Sequence, residues 1–455
     1  MLKWLTGFDQ RLKNKPILHK ALYQQLEYAI QQGILRTGEQ LPPHRKLAKH
    51  LGIAVATVTK VYRYAEDQGL LYARVGKGSF VSVCQVLPQA IRAQDYQSIN
   101  LSIIKPLVAI GETQLAEQLN AMCEQAQLSD LMDYNPEGGS LTDLHTAREW
   151  LSQQGVSLDN KEISICSGAQ HGLMLLINSI TQHGDCIAVE NFCYPGIISL
   201  ANQHGRKLIG IAMDEQGIIP DALELACQAH DIKMLIVVAS HQNPTTAVMS
   251  KVRRKAIAKI VEKYSIWLVD DDVYGFLSPH LPPISNYAAE HSFYLTSLSK
   301  SMFPGLRVGY LVSPQGFKKR VDAEVRNSIW MPVPFTLALA SRLIYSGQAR
   351  DIQLQQTQLA ERRQNIARHI FSGCHYQAQP NSYHLWLNLP SPWSSEEFSL
   401  QLKQQGILVS SADYFCAEHQ THTAAVRISL MAVKSEDALK FGLKRVRSLL
   451  SRAPN

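Results

Sequence analysis

The chain has no CxxC pair, no cysteine–histidine cluster and no apolar run near the roughly 20 residues that span a bilayer. Its eight cysteines, at 84, 123, 166, 186, 193, 227, 374 and 416, are scattered. That pattern argues against a disulfide framework or a structural zinc, and most of them read as small buried apolar residues. Cys193 stands out only because it precedes an aromatic residue of interest, Tyr194. The opening stretch MLKWLTGFDQRLKNK has neither an apolar signal core nor a small-residue cleavage site, so a cytoplasmic protein without a membrane partner is expected. Charged residues make up 18% and hydrophobic residues 45%, as in an ordinary globular protein. At 455 residues the chain exceeds one hydrophobic core, and two or three domains are expected.

Acidic residues are scarce where basic ones are plentiful. Residues 1–80 hold 8 Lys and 5 Arg against 2 Asp and 3 Glu, a net charge of +8, so the remainder nets −1 of the total +7. A module with this charge is suited to approach a phosphate backbone.

Within that head, Leu22, Leu26, Ala29 and Ile30 recur at helical spacing over residues 17–32, and Gly33 suits the stop. Leu41-Pro42-Pro43 fits a second helix entry, where a missing N–H costs little. Leu51-Gly52-Ile53 makes a tight turn into a third helix, Ala54 to Gln68, with Val58, Val61, Tyr62 and Ala65 facing inward. Gly69 is expected to cap it. Two short apolar runs then flank the basic turn Arg74-Val75-Gly76-Lys77-Gly78. Three helices and a basic hairpin describe a winged helix-turn-helix, whose last helix enters the major groove of double-stranded DNA.

The head resembles the DNA-binding domain of the GntR regulators in Leu41-Pro42, Arg45, Leu47-Ala48, Leu51-Gly52, Thr57-Val58, Tyr62, Gly69-Leu70, Arg74, Gly76, Gly78 and Phe80-Val81. The resemblance implies that Arg45, Thr57 and Gly78 face DNA, with the basic turn carrying Arg74 and Lys77 to the backbone. Such contacts position the module and do not specify sequence. Ala54-Val55-Ala56 is apolar where the family usually has polar or basic residues, which moves expected base reading toward Lys60 and Arg63. Arg63 reads equally well as a solvated helix charge.

Beyond a connector, short apolar runs alternate with helical stretches: 162–166, 186–189, 207–211, 234–239, 266–269, 292–296 and 308–312. Strands that alternate with helices imply a mostly parallel sheet covered on both faces, whose ligands bind beyond the carboxyl ends of the strands. The chemically interesting residues fall there repeatedly. Gly168 and Ala169 open a helix after the first run, an anion cradle. Tyr194 follows the second, and Asn243 the fourth. Asp270-Asp271-Asp272-Val273-Tyr274 ends the fifth, and three buried carboxylates imply a cationic partner. Ser297, Ser299 and Lys300 end the sixth, with Arg307 seven residues on. A lysine among hydroxyls and an arginine suits a Schiff base with an aldehyde cofactor whose phosphate those groups hold.

Order and spacing over residues 100–455 resemble the fold-type I aminotransferases, which use pyridoxal 5′-phosphate. The resemblance implies Lys300 as the Schiff-base lysine and Asp271 as the partner of the pyridine nitrogen. Asn243 and Tyr274 would bind the ring hydroxyl, and Tyr194 would stack on the ring. Ser297, Ser299, Arg307 and the amides of Gly168 and Ala169 would hold the phosphate. Arg427 would grip a substrate carboxylate, and Tyr134 would reach the phosphate of the other subunit of a homodimer. Thr246 stands where glycine usually closes the Asn-Pro-Thr turn, and His145 where an arginine is common.

A GntR-type head on such a body is the architecture of the MocR/GabR-like regulators. It implies a winged helix-turn-helix over 1–82, a connector over 83–99 and an effector domain over 100–455. That domain divides into a large subdomain of about 145–340 and a small α+β subdomain of about 341–455. The implied function is a DNA-binding regulator sensing the cofactor, or an amine or amino acid that reacts with it, as a homodimer arranged head to tail. The alternative is a working aminotransferase with an accessory head.

Overall fold

A computed structural model describes residues 3–5, 18–31, 34–35, 38–67, 70–74, 78–81, 98–125, 128–417 and 423–451. The chain forms two compact units, Met1–Val86 and Leu87–Asn455.

In the first unit, helix α1 spans Leu18–Gln31, α2 His44–Leu51 and α3 Val55–Asp67. One apolar stripe from each meets in a single cluster: Leu22, Leu26 and Ala29 of α1, Leu47 and Ala48 of α2, and Val58, Val61, Tyr62 and Ala65 of α3. Each such leucine or valine contributes about 1.5–3 kcal/mol through burial. Gly52 takes the left-handed conformation (φ 65°) and donates its N–H to Ala48 O, which ends α2 abruptly enough for α3 to turn away. The Tyr62 hydroxyl donates to Pro42 O at 3.0 Å, fixing the helix entry to α3. Strands β1 (Leu71–Arg74) and β2 (Gly78–Val81) pair antiparallel, Leu71 opposite Val81. The expected cap Gly69 and the wing-tip Lys77 lie outside the described residues.

The second unit opens with β3 (Ile99–Asn100) and is built on a seven-stranded sheet. Its strands are β4 (Lys161–Cys166), β5 (Cys186–Glu190), β6 (Lys207–Ile211), β7 (Ile232–Val237), β8 (Trp267–Asp271), β9 (Ser292–Ser297) and β10 (Gly309–Pro314). They lie in the order β4-β10-β9-β8-β7-β5-β6, and only β10 runs against the rest. All seven expected runs are strands. Their near-continuous burial follows from helices on both faces, whose apolar sides complete three clusters around the sheet.

Helix α4 (Ala169–Ile180) follows β4, and α5 (Lys251–Tyr264) precedes β8. The 23-residue helix α6, Gln348–Ile370, runs from the cluster beside the large sheet, through Ala349 and Ile352, to the second core, through Ala367. That core covers a four-stranded antiparallel sheet of β11 (Tyr376–Gln377), β12 (His384–Asn388), β14 (Ser410–Ser411) and β15 (Ala425–Ser429), in the order β11-β12-β15-β14. Just before β14, β13 (Ile407–Leu408) pairs in parallel with β3. The first residues of the body thus belong structurally to its last subdomain, a partnership of about 300 residues' separation that periodicity does not reveal.

Among the described residues no helix is long and apolar enough to cross a membrane. No group of three or more His, Cys, Asp or Glu side chains there could hold a metal ion.

Candidate functional site

The carboxyl ends of β4, β5, β7, β8 and β9 surround a cavity of about 240 Å³, lined among others by Ala169, Tyr194, Asn243, Asp271, Tyr274, Ser297, Ser299, Lys300, Arg307 and Arg427. Most residues singled out in the sequence therefore meet in one place, although up to 258 positions separate Ala169 from Arg427.

Strand alternation sorts the three aspartates. Asp270 accepts from the Ser285 N–H at 3.1 Å and its hydroxyl at 3.0 Å, and Asp272 from the Tyr294 hydroxyl at 3.3 Å. Burial raises both pKa values, and the buried Arg254 guanidinium opposes that rise. Arg254 is the expected cationic partner, acting at a distance while it donates to Met249 O, Ala239 O and Pro282 O. Asp271 faces the other way, into the cavity, with Oδ1 buried and unpartnered. Burial, then Asp270 and Asp272, push its pKa up to about 7, against the pull of Lys300.

Lys300 sits on a single helical turn, Leu298–Ser301, directly after β9. Its Nζ donates to Ile104 O at 2.7 Å. Burial and the nearby Arg427 charge push its pKa down to about 8. Ser297 caps this turn by accepting from the Ser299 N–H at 3.2 Å. Arg307 adopts a left-handed backbone (φ 53°) that returns its guanidinium to the turn, where it donates to Ser299 Oγ at 3.3 Å and to Ser167 O at 2.8 Å. Ser297, Ser299 and Arg307 thus form a cationic cup.

Gly168 completes that cup by its smallness: φ is +82°, and a Cβ there would lie 2.7 Å from Arg307 Nη2. Its own N–H departs from the expected role, being donated to Cys166 O at 2.9 Å. The helix-start amide at the cavity is that of Ala169. His171, to which no sequence signal pointed, accepts from the Ser167 N–H at 3.0 Å through Nδ1 and meets Ser328 Oγ at 2.8 Å through Nε2. Burial and Arg307 push its pKa down to about 4, so it stays neutral and holds the loop under the cup.

Opposite lies Arg427, paired with neutral groups: Nη1 donates to Asn243 Oδ1 at 2.7 Å, and Nη2 to Ser410 Oγ at 3.1 Å and to Ser102 O. Its guanidinium carbon lies 4.8 Å from the Phe415 ring centre, while Nε is buried and unpartnered. The bond to Asn243 Oδ1 fixes that amide so that its N–H₂ is presented elsewhere. Burial raises the Tyr274 pKa and keeps that hydroxyl protonated. Ser102, Ile103, Ile104 and Phe415 also line the cavity and carried no sequence signal.

Tyr134 is not in this cavity. It is 78% exposed, with its ring 6.0 Å from that of Trp330, itself 57% exposed. Cys193 is fully buried, which raises its thiol pKa well above the usual range.

In the first unit Arg45, Lys60, Arg63 and Gly78 are exposed and Thr57 is half-buried, all on α2, α3 and the wing. Gly78 has φ +104°, which the strand entry requires. Arg74 ends β1.

Residues 18–81 match the bacterial regulatory proteins of the gntR family, and residues 96–446 match aminotransferase class I and II. The chain is 30% identical to the uncharacterized HTH-type transcriptional regulator YdeF of Bacillus subtilis (strain 168), over 99% of this chain and 97% of that protein. It is 26% identical to the HTH-type pyridoxine biosynthesis transcriptional regulator PdxR of Corynebacterium glutamicum, over 69% of each. The crystal structure of Pyrococcus horikoshii kynurenine aminotransferase, in complex with PMP, matches 80% of this chain and 95% of that one with a TM-score of 0.73 at 21% identity. The two share a fold.

Proposed function

Because the chain belongs to the HTH-type transcriptional regulators that join a gntR-family DNA-binding head to an aminotransferase class I and II body, we propose that its body binds pyridoxal 5′-phosphate at Lys300 and reports that cofactor, or an amine or amino acid reacting with it, to the head. The carrying observation is that Asp271, alone of the three adjacent aspartates, lines the same cavity as Lys300 and the Arg307 cup, with its Oδ1 unpartnered. An orphan carboxylate, a depressed lysine and a cationic cup match, in turn, a pyridine nitrogen, an aldehyde and a phosphate. Bound there, the cofactor supplies an aldehyde for amines and an electron-withdrawing ring.

The chain's own groups have separable roles. Lys300 offers a neutral amine at a pH near its lowered pKa, and Asp271 holds a proton on the ring nitrogen. Asn243 and Tyr274 donate to the ring oxygen, and Tyr194 covers the ring. Arg307, Ser297, Ser299 and the Ala169 amide hold the phosphate, and Gly168 leaves room for Arg307. Arg427 exchanges its neutral partners for an effector carboxylate.

The head contacts operator phosphates through Arg45, Arg74 and Lys77 and reads bases through Lys60 and Arg63, with Thr57 and Gly78 facing the DNA. The exposed apolar Met132, Tyr134, Trp330 and Val333 support a homodimer, head to tail, in which Tyr134 reaches the neighbouring site. Its place of work is the cytoplasm, where the DNA is.

Purified protein incubated with the cofactor is expected to gain a visible absorbance band, and borohydride to couple it covalently to Lys300. A colourless protein with no labelled peptide overturns the proposal. The lowered pKa of Lys300 also suits a working aminotransferase. Steady turnover of an amino donor with a keto acid at roughly 1 s⁻¹ or faster would establish that reading.

A further inference from the structure

Residues 98–104 have two unlike halves. Residues 99–101 are stitched to the small subdomain: Ile99 N–H donates to Gly406 O at 2.8 Å, Leu101 N–H to Leu408 O at 2.8 Å, and Ser429 N–H to Leu101 O at 2.7 Å. Ile99 and Leu101 also pack into that subdomain's core. Residues 102–104 instead run along the cavity. Ser102 O accepts from Arg427 and from Ser410 Oγ, and Ile104 O from Lys300 Nζ at 2.7 Å. Lys300 follows a strand of the large sheet, so its bond to Ile104 O ties one subdomain to the other. Arg427 belongs to β15 of the small sheet, and its bond to Asn243 Oδ1 on the loop after β7 makes a second tie in the opposite sense.

We propose that Lys300 and Arg427 together form a ligand-released latch that holds the small subdomain, and with it the root of the connector to the DNA-binding head, against the large subdomain. The proposal rests on the cofactor reading above. When the Lys300 amine condenses with an aldehyde, a carbon–nitrogen double bond forms and the carbonyl oxygen leaves as water. The nitrogen retains at most one hydrogen, in the plane of its new substituent, and Ile104 O loses its donor. A carboxylate that captures the Arg427 guanidinium likewise releases Asn243 Oδ1 and Ser102 O. Both events act on the same strap, and residue 98 is where the connector arrives. Arg427 Nε is buried without a protein partner, which leaves this guanidinium a donor for a carboxylate.

Hydrogen exchange of the segment 98–106 in the full chain tests the latch. Lys300→Met removes the donor and keeps the length, so cofactor-free variant protein is expected to exchange there about fivefold faster than wild type, the loss of one hydrogen bond. Lys300→Arg retains a donor and is expected to stay near wild type. Adding pyridoxal 5′-phosphate to wild type is expected to reproduce the Lys300→Met pattern and to shift operator affinity in the same direction as that variant. Should Lys300→Met not fold, the cofactor titration of wild type makes the same comparison. If the visible band forms while exchange in 98–106 is unchanged, the latch falls and the cofactor reading stands. If Lys300→Met speeds exchange while the cofactor gives neither band nor change, the tie stands and the cofactor reading falls.

Discussion

The head and the body work by opposite uses of charge. In the head, Arg45, Lys60 and Arg63 stand exposed on short helices over an apolar cluster. Solvent screens them, and in the proposed reading Arg45 acts through the counterions that DNA gives up. In the body, the interesting charges are buried: Asp271 and Arg427 are nearly inaccessible, and burial pushes Asp271 up to about 7 and Lys300 down to about 8. Burial costs stability and confers chemistry. Exchange among the head's exposed cations is therefore expected to cost less than substitution of a buried charge in the body.

The largest expected effect tests the buried side. Asp271→Asn removes the only acid among the described residues that line the cavity, and cofactor affinity is expected to fall by about 2–5 kcal/mol, the cost of truncating one partner of a buried charge pair. Titration of the visible band measures it. Unchanged affinity would mean that the orphan Oδ1 has no ring to meet.

A smaller effect is expected from pH. With Lys300 lowered to about 8, the neutral amine becomes commoner as pH rises toward that value. The rate of cofactor capture should then climb about tenfold per unit below pH 8 and level off above it. An ordinary lysine would keep climbing up to about pH 10. Stopped-flow absorbance across that range separates the two.

The smallest effect belongs to the exposed side. Arg45→Ala should lower the slope of log affinity against log salt by about 1 and weaken all sequences alike. Filter or anisotropy titrations at several salt concentrations read this slope. A change confined to one operator sequence would turn Arg45 from a phosphate contact into a base reader and erase the contrast between the two regions.

The seven strands of the large sheet were legible because each is a short apolar run between helical stretches, as a strand covered on both faces requires. Most of the residues that line the cavity were legible because strand ends and glycine turns mark them. Gly168 stands where the sequence places it but serves differently, making room for Arg307 while its N–H is occupied by Cys166 O. His171 and Phe415 could not be found, since a histidine inside a helix and a phenylalanine before a cysteine resemble core residues. Arg254 was foreseen only as a need, because three adjacent carboxylates require a cation without saying which.

Local pattern by itself determined the element order, the charge asymmetry and the choice of Lys300 as the proposed Schiff-base lysine, for these depend on neighbours a few residues apart. Only the tertiary structure decided which aspartate faces the cavity and which two are held by hydroxyls. It alone joined Ile104 O to Lys300 and Ser102 O to Arg427, across 196 and 325 positions. A backbone carbonyl is the same in every residue, so its partner is chosen by where the folded chain brings it.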